Sequence, residues 1–361
     1  MSYLYYEVNN RKFSNQFLAH YEAFKSGTPV RFNCNDQLYD AYNWENDPEE
    51  SFETLMDLHA FRLRDKYRYL ILNWSGGTDS HTIYNVFKRN NIHIDEICVK
   101  YSLADSEFFP KGNADWLVAN HWDRSTKITL THDQDPEQRS IVLPNEDWIF
   151  NDVGDFRRYG SAGVDIGNLS VLRNIHGADD WAVIAGFEKP KVYERDGKWY
   201  AAMPDFSIRA ALGHSNLECF FLEPKIHMKQ CHLLKNFIKA HPSTSTVNKY
   251  TYDYYVEARA TGRHDELVLG VSLGQKEKNR KNQKDTLIDL DVDLQEFSTH
   301  DVYLTEKLKN NDPTAMTYVR GLYNLRYETE FWDYLNRNCF THPNAIWSMK
   351  PVWSKSYFIG L

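Results

Sequence analysis

The sequence has no stretch approaching the roughly 20 consecutive apolar residues that cross a bilayer. Its first residues, Met1-Ser2-Tyr3-Leu4-Tyr5-Tyr6-Glu7, lack the basic start and apolar run of a secretion signal. No membrane partner is expected. Cysteine is scarce and scattered, with Cys34, Cys98, Cys219, Cys231 and Cys339 and no CxxC among them. That argues against a disulfide framework, a zinc ribbon or a cluster-binding motif, and a reducing cytoplasm is the expected location. Positive charge is also in deficit, 42 Lys+Arg against 50 Asp+Glu, for a formal −8. Phosphate backbones demand a basic surface, so broad non-specific nucleic-acid binding is disfavoured. One local basic run survives that argument, Lys276-Glu277-Lys278-Asn279-Arg280-Lys281-Asn282-Gln283-Lys284. Fixed-period repeats and low-complexity tracts are missing. So is GxxxxGK[ST], which disfavours γ-phosphate transfer of the kinase or GTPase kind.

What is present is a chain of 361 residues, enough for one large or two ordinary domains. With 42% hydrophobic and 25% charged residues, it falls among globular rather than disordered sequences. Aromatics reach 15%, material either for a core or for surfaces on which bases stack.

The pattern divides the chain in three. Over 1–65 it reads as a small α+β region, with strands over 3–8 and 29–33 and a helix over 14–26. A further helix is predicted to start at Asp47-Pro48-Glu49-Glu50, with Asp47 as N-cap and Pro48 at the first helical position, and to end near Asp65. Over 66–245, strands at 67–74, 96–102, 127–131, 181–186 and 219–222 alternate with helices at 80–90, 114–124, 164–175 and 227–240. Such alternation implies an α/β fold, a Rossmann-like parallel sheet with helices on both faces. A hairpin over 191–201, turning at Asp196-Gly197, is expected to project from the carboxyl edge of that sheet. Over 246–361 the pattern loosens, then becomes mostly helical at 314–323 and 328–336, a C-terminal region whose role the sequence does not declare.

The segment Leu72-Asn73-Trp74-Ser75-Gly76-Gly77-Thr78-Asp79-Ser80 lies between a predicted strand and a predicted helix. Adjacent glycines let backbone amides approach an anion without obstruction by a Cβ. The helix that follows offers its amides and positive dipole end to the same anion. Ser75 and Ser80 add hydroxyl donors, and Asp79 is placed to hold the Mg²⁺ that accompanies a nucleotide polyphosphate.

Ser75-Gly76-Gly77-Thr78-Asp79-Ser80 resembles the SGGxDS signature of the PP-loop (N-type) ATP pyrophosphatases. Two further stretches are similar to that family. Ala182-Val183-Ile184-Ala185-Gly186 looks like its strand closing over the adenosine, and Phe221-Leu222-Glu223-Pro224 followed by Met228-Lys229-Gln230 looks like its late strand–Pro–Lys–helix element. The resemblance spans roughly 67–240. It implies the fold of the adenine nucleotide alpha hydrolases, with ATP and Mg²⁺ as cofactors. By the same likeness Ser75, Gly76, Gly77, Thr78, Asp79 and Ser80 bind the phosphates and Lys229 faces the pyrophosphate. Val99, Lys100, Tyr101 and Gly186 become candidates for holding adenine, and Asp79 and Lys229 for catalysis.

The implied reaction is cleavage of ATP to AMP and pyrophosphate. A carbonyl, amide or carboxylate oxygen of an acceptor is adenylated, and AMP is then displaced by an amine, ammonia or a sulfur nucleophile. The acceptor is a small molecule or a nucleic acid, and a non-catalytic nucleotide sensor on the same fold is the alternative. Departures from the family narrow the menu. Residue 2 is Ser2 rather than a cysteine, and 1–65 is too short for a glutaminase domain, so any nitrogen is expected from free ammonia or an amine. A zinc-binding CxxC is missing, and a persulfide route would fall to a single thiol, Cys219 or Cys231. His227, Cys231 and His232 suggest a metal, but further ligands are not evident and a structural role is favoured. The run at 276–284 reads as a solvated loop, a lid or a nucleic-acid contact. The segment 186–215, with Asp205 and Arg209, is where acceptor selection is expected.

Overall fold

The computed structural model describes residues 4–74, 78–101, 111–132, 176–177, 180–186, 191–205, 208, 212, 215–240, 329–339 and 350–361. Short apolar runs build its central sheet: β4 (Tyr69–Asn73), β5 (Glu96–Tyr101), β6 (Lys127–His132), β7 (Trp181–Ala185) and β10 (Leu217–Cys219). All neighbours pair in parallel, in the order β10-β7-β4-β5-β6. Such strands are covered on both faces, which is why β4 and β7 read as nearly unbroken apolar runs. Alternation then divides the residues between two cores. Leu70, Leu72, Ile97, Val99, Ala182 and Ile184 enter one, with α3 (Phe52–Lys66), α4 (Thr78–Arg89) and α5 (Lys111–Asn120). Ile71, Trp181, Val183, Ala185 and Leu217 enter the other.

The second core is closed by two small antiparallel sheets. One has the order β2-β1-β3, from β1 (Leu4–Val8), β2 (Arg11–Phe13) and β3 (Arg31–Cys34). The other has the order β11-β9-β8, from β8 (Lys191–Arg195), β9 (Lys198–Ala202) and β11 (Tyr357–Phe358). Helices α1 (Gln16–Ser26), α2 (Asp36–Tyr39), α6 (Pro224–Ala240) and α7 (Thr329–Asn338) complete the described elements. Among the described residues no helix is long and apolar enough to cross a membrane.

The sheet is therefore the Rossmann-like parallel arrangement expected, flanked by helices. Its strand order carries the functional information. From β4 the chain steps outward through β5 and β6, then returns on the opposite side of β4 as β7. That reversal is a topological switch point, and ligands of open α/β sheets bind outside the carboxyl ends of the strands there.

Two expectations are corrected. The 191–201 hairpin forms, with Asp196 at φ 52° and Gly197 at φ 72° in its turn, but it does not project. Trp199 and Ala201 are buried in the second core and β9 pairs with β11, because apolar residues on one face of the hairpin need cover. The helix expected from Asp47 starts later. Its N-cap is Ser51, whose Oγ accepts from Thr54 N at 3.0 Å, and this start seats Phe52 in the first core. The residues at either end of the chain share the second core where they are described. Tyr357 and Ile359 join Leu4, Tyr6 and Tyr39 there, and Phe331 of α7 packs edge-on to Tyr21 of α1 at 5.0 Å. The helices predicted at 164–175 and 314–323 lie outside the described residues.

Candidate functional site

β4 delivers the chain to the carboxyl edge, and Trp74 N donates to Cys98 O at 2.9 Å, extending the β4–β5 ladder by one residue. Ser75, Gly76 and Gly77 lie outside the described residues. The backbone resumes at Thr78, the first residue of α4, and Asp79 and Ser80 follow in its first turn. Asp79 is partly exposed and Ser80 is buried.

Gly186, immediately after β7, lies against that turn. A Cβ added to it would meet Asp79 Cβ at 2.9 Å, the Asp79 carbonyl carbon at 3.1 Å and Ser80 N at 3.2 Å. Two of these three atoms are backbone, so a side chain could not be accommodated by a rotamer change. Glycine is required here for close approach. Two stretches more than a hundred residues apart in sequence, each singled out for a nucleotide, thus touch at the switch point.

The second strand ends at the same edge. Val99 is buried in the first core, where its side chain packs, and it is in register with Leu130 of β6. Lys100 and Tyr101 close β5, in register with Thr131 and His132 of β6.

Sequence reasoning missed an aromatic group beside the loop. The Trp74 and Trp116 rings lie 6.2 Å apart and nearly parallel, His81 meets Trp116 edge-on at 5.4 Å, and His81 stacks on Tyr84 at 5.6 Å. Burial, and then the charge of Lys88, hold the His81 imidazole below its ordinary range, so it is neutral at pH 7. The signal was available in part: a tryptophan ends β4, and His81 and Tyr84 are spaced three apart on the helix that follows.

Compared with protein-family models, curated proteins and solved structures, the chain matches none. The geometry of the site alone bears on its chemistry.

That geometry places Lys229 away from the role expected of it. On α6, its Nζ donates to Asp47 Oδ1 and to Pro48 O, both at 2.9 Å, and its side chain is 14% exposed. Lys225, one turn earlier, donates to Glu50 Oε1 at 2.5 Å. The acidic residues read as a helix start are instead a strap across the first turns of α6, and the lysine expected at pyrophosphate is engaged there.

Cys219 and Cys231 are both buried in the second core, and burial raises the Cys231 thiol well above its usual range. Neither fits a persulfide-carrying thiol, which must be accessible and readily ionised. His227 Nδ1 lies 3.3 Å from Phe221 O and His232 Nε2 lies 2.9 Å from Trp44 O. Among the described residues no group of three or more His, Cys, Asp and Glu is arranged to hold a metal. Asp205, expected to select the acceptor, is fully buried. It accepts from Tyr6 OH at 2.6 Å and from Val352 N at 3.1 Å, bracing the first strand to the C-terminal segment. Arg209 and the run at 276–284 lie outside the described residues.

Proposed function

We propose that the chain binds Mg·ATP at the carboxyl edge between β4 and β7 and cleaves it to AMP and pyrophosphate, adenylating an oxygen of an acceptor. The observation that carries this reading is the contact of Gly186 with Asp79 and Ser80, at the switch point of a parallel sheet. In this reading the 75–77 backbone and the first turn of α4 hold the β- and γ-phosphates as a leaving group. Asp79 is the residue that would hold the Mg²⁺ through its carboxylate, and the ion when bound would supply neutralisation of the charge developing on pyrophosphate. The α-phosphorus is left open to the acceptor oxygen. That oxygen forms the new P–O bond as the bond to pyrophosphate breaks, and AMP leaves later as a nitrogen or sulfur nucleophile arrives. Little covalent chemistry falls to the protein, whose contribution is positioning and charge neutralisation.

The test is release of pyrophosphate and AMP from Mg·ATP by the purified protein, across a panel of carboxylate, amide and nucleobase acceptors. Asp79→Ala is expected to lower release by about 100-fold, as when one group stabilising developing charge is removed. Unchanged release in that variant would sink the mechanism. A binding-only reading is favoured by one observation, the commitment of Lys229 to Asp47 and Pro48. It predicts saturable ATP binding with no pyrophosphate from any acceptor.

A further inference from the structure

Two buried side-chain donors near the loop have no hydrogen-bond partner among the described residues: Trp74 Nε1 and Asn113 Nδ2. Trp74 is 2% exposed, so its N–H has left water without a replacement. Leaving a buried donor unmade is costly, and native structures satisfy most such groups. The two sit at the same edge of the sheet. Trp74 is the first residue past β4, and Asn113 is in the first turn of α5, the next described element after β5. Trp116 joins them: it follows Asn113 by one helical turn, a spacing that makes the two neighbours on the helix surface, and its ring is parallel to that of Trp74 within 15°. Trp116 is also 41% exposed, unusual for an indole with so much aromatic company.

We propose that Trp74, Asn113 and Trp116 form a nucleobase site. A planar heterocycle carries acceptors in its plane and a π-face above it. The two N–H groups match the first property, and the exposed indole matches the second, since bases stack on aromatic side chains irrespective of sequence. Both unpartnered side-chain groups are donors, which selects ring nitrogens and carbonyl oxygens over exocyclic amines. These are side-chain contacts, in contrast to the backbone groups at the end of β5 expected from the family likeness. The site rests on the ATP reading only in where the base comes from: the nucleotide held by the loop, or a nucleobase acceptor.

Nucleosides, which carry no phosphate, probe the base site alone, and Mg·pyrophosphate probes the loop alone. Equilibrium dialysis of the full chain against adenosine, guanosine, cytidine and uridine is expected to show saturable binding of at least one. Trp74→Phe keeps the ring and removes the N–H, and Asn113→Leu removes the amide; each is expected to weaken that nucleoside about three- to ten-fold. Trp116→Leu is expected to weaken it about ten-fold or more. Circular dichroism checks folding, and Asn113→Leu, at a half-buried position of α5, decides the matter if Trp74→Phe fails to fold. The proposal is overturned if no nucleoside binds up to its solubility, or if the folded variants bind as the unmodified chain does. Pyrophosphate binding that fails while nucleoside binding holds would remove the ATP reading and keep this one. Displacement of the nucleoside by ATP would identify the base as that of the nucleotide, and simultaneous binding would identify it as that of the acceptor.

Discussion

At the amino edge of the central sheet, Arg64 donates to Asp95 Oδ2 at 2.6 Å and to the carbonyls of Tyr67, Arg68 and His93. Asp95 Oδ2 in turn accepts from Leu70 N at 2.8 Å. Beside it, Glu96 accepts from Tyr69 OH and Lys127 Nζ, each at 3.0 Å, and from Thr129 Oγ1. Burial pushes the Glu96 carboxyl up, but the Thr129 and Lys127 hydrogen bonds outweigh it and hold the group below its usual range. At the carboxyl edge, some 15–20 Å along the same strands, Trp74 and Asn113 bury N–H groups with no partner, and a glycine admits the next helix. Around Asp95 and Glu96, the first edge pairs its charges within the chain. The second buries donors with no partner among the described residues.

The contrast makes predictions that break it or sharpen it. Arg64→Ala removes the guanidinium from the partly buried Asp95, which keeps Leu70 N and the neighbouring His93, and is expected to cost about 3 kcal/mol of stability in urea denaturation. Nucleotide binding by the folded protein should be unchanged. Loss of binding with stability intact would erase the distinction between the edges.

Gly186→Ala forces a Cβ into the first turn of α4 and is expected to cost about 2 kcal/mol. Here nucleotide affinity should fall as well, read by calorimetric titration with Mg·ATP. A variant of unaltered stability and affinity would show that the close approach relaxes freely.

His227 tests the carboxyl side by pH. Burial lowers its pKa to about 4, outweighing the contact with Phe221 O that favours the charged form. The folded state therefore binds fewer protons than the unfolded state, in which histidine titrates near 6.5. The stabilisation is fully present above that value and is lost as pH falls towards 4, by about 1.4 kcal/mol per unit. His227→Leu should flatten the pH dependence of the urea midpoint across that window, and an unchanged slope would assign it to other groups.

The smallest effect is expected at the cap. Ser51→Ala should cost about 1 kcal/mol, visible in the thermal midpoint. Asp47→Ala, which the sequence pattern would rank as the cap substitution, removes instead the partner of Lys229 and leaves the α3 terminus intact.

The strands of the central sheet and the turn of the 191–201 hairpin were legible because their signals are local. An apolar run bounded by breakers marks a strand wherever it packs, and Asp-Gly marks a primed turn. The strand order was not legible, since nothing local distinguishes β7 beside β4 from β7 beyond β6. Ser51 and Asp47 are both good caps, and the choice between them was made by Phe52 reaching the core and by Lys229, far along the chain, pairing with Asp47. β11 is only Tyr357–Phe358, too short to announce itself, and its partner strand is β9. At the site, the places of Asp79 near the start of α4 and of Gly186 after β7 were readable. The Trp74–Trp116 pair was not, because only the fold brings β4 and α5 together.

The sharing of one core by the two ends of the chain has a consequence for synthesis. The first core draws its buried residues from Phe52 to Ile226, so it is available once that much has left the ribosome. The second begins at Leu4 but needs Ile359. Tyr357 OH donates to Asp36 across 321 positions, and Lys355 pairs with Asp40 across 315. Contacts of that span fold slowly, because a long loop closes before they form. The first core takes shape while translation continues, and the residues made first are those that wait longest for their partners.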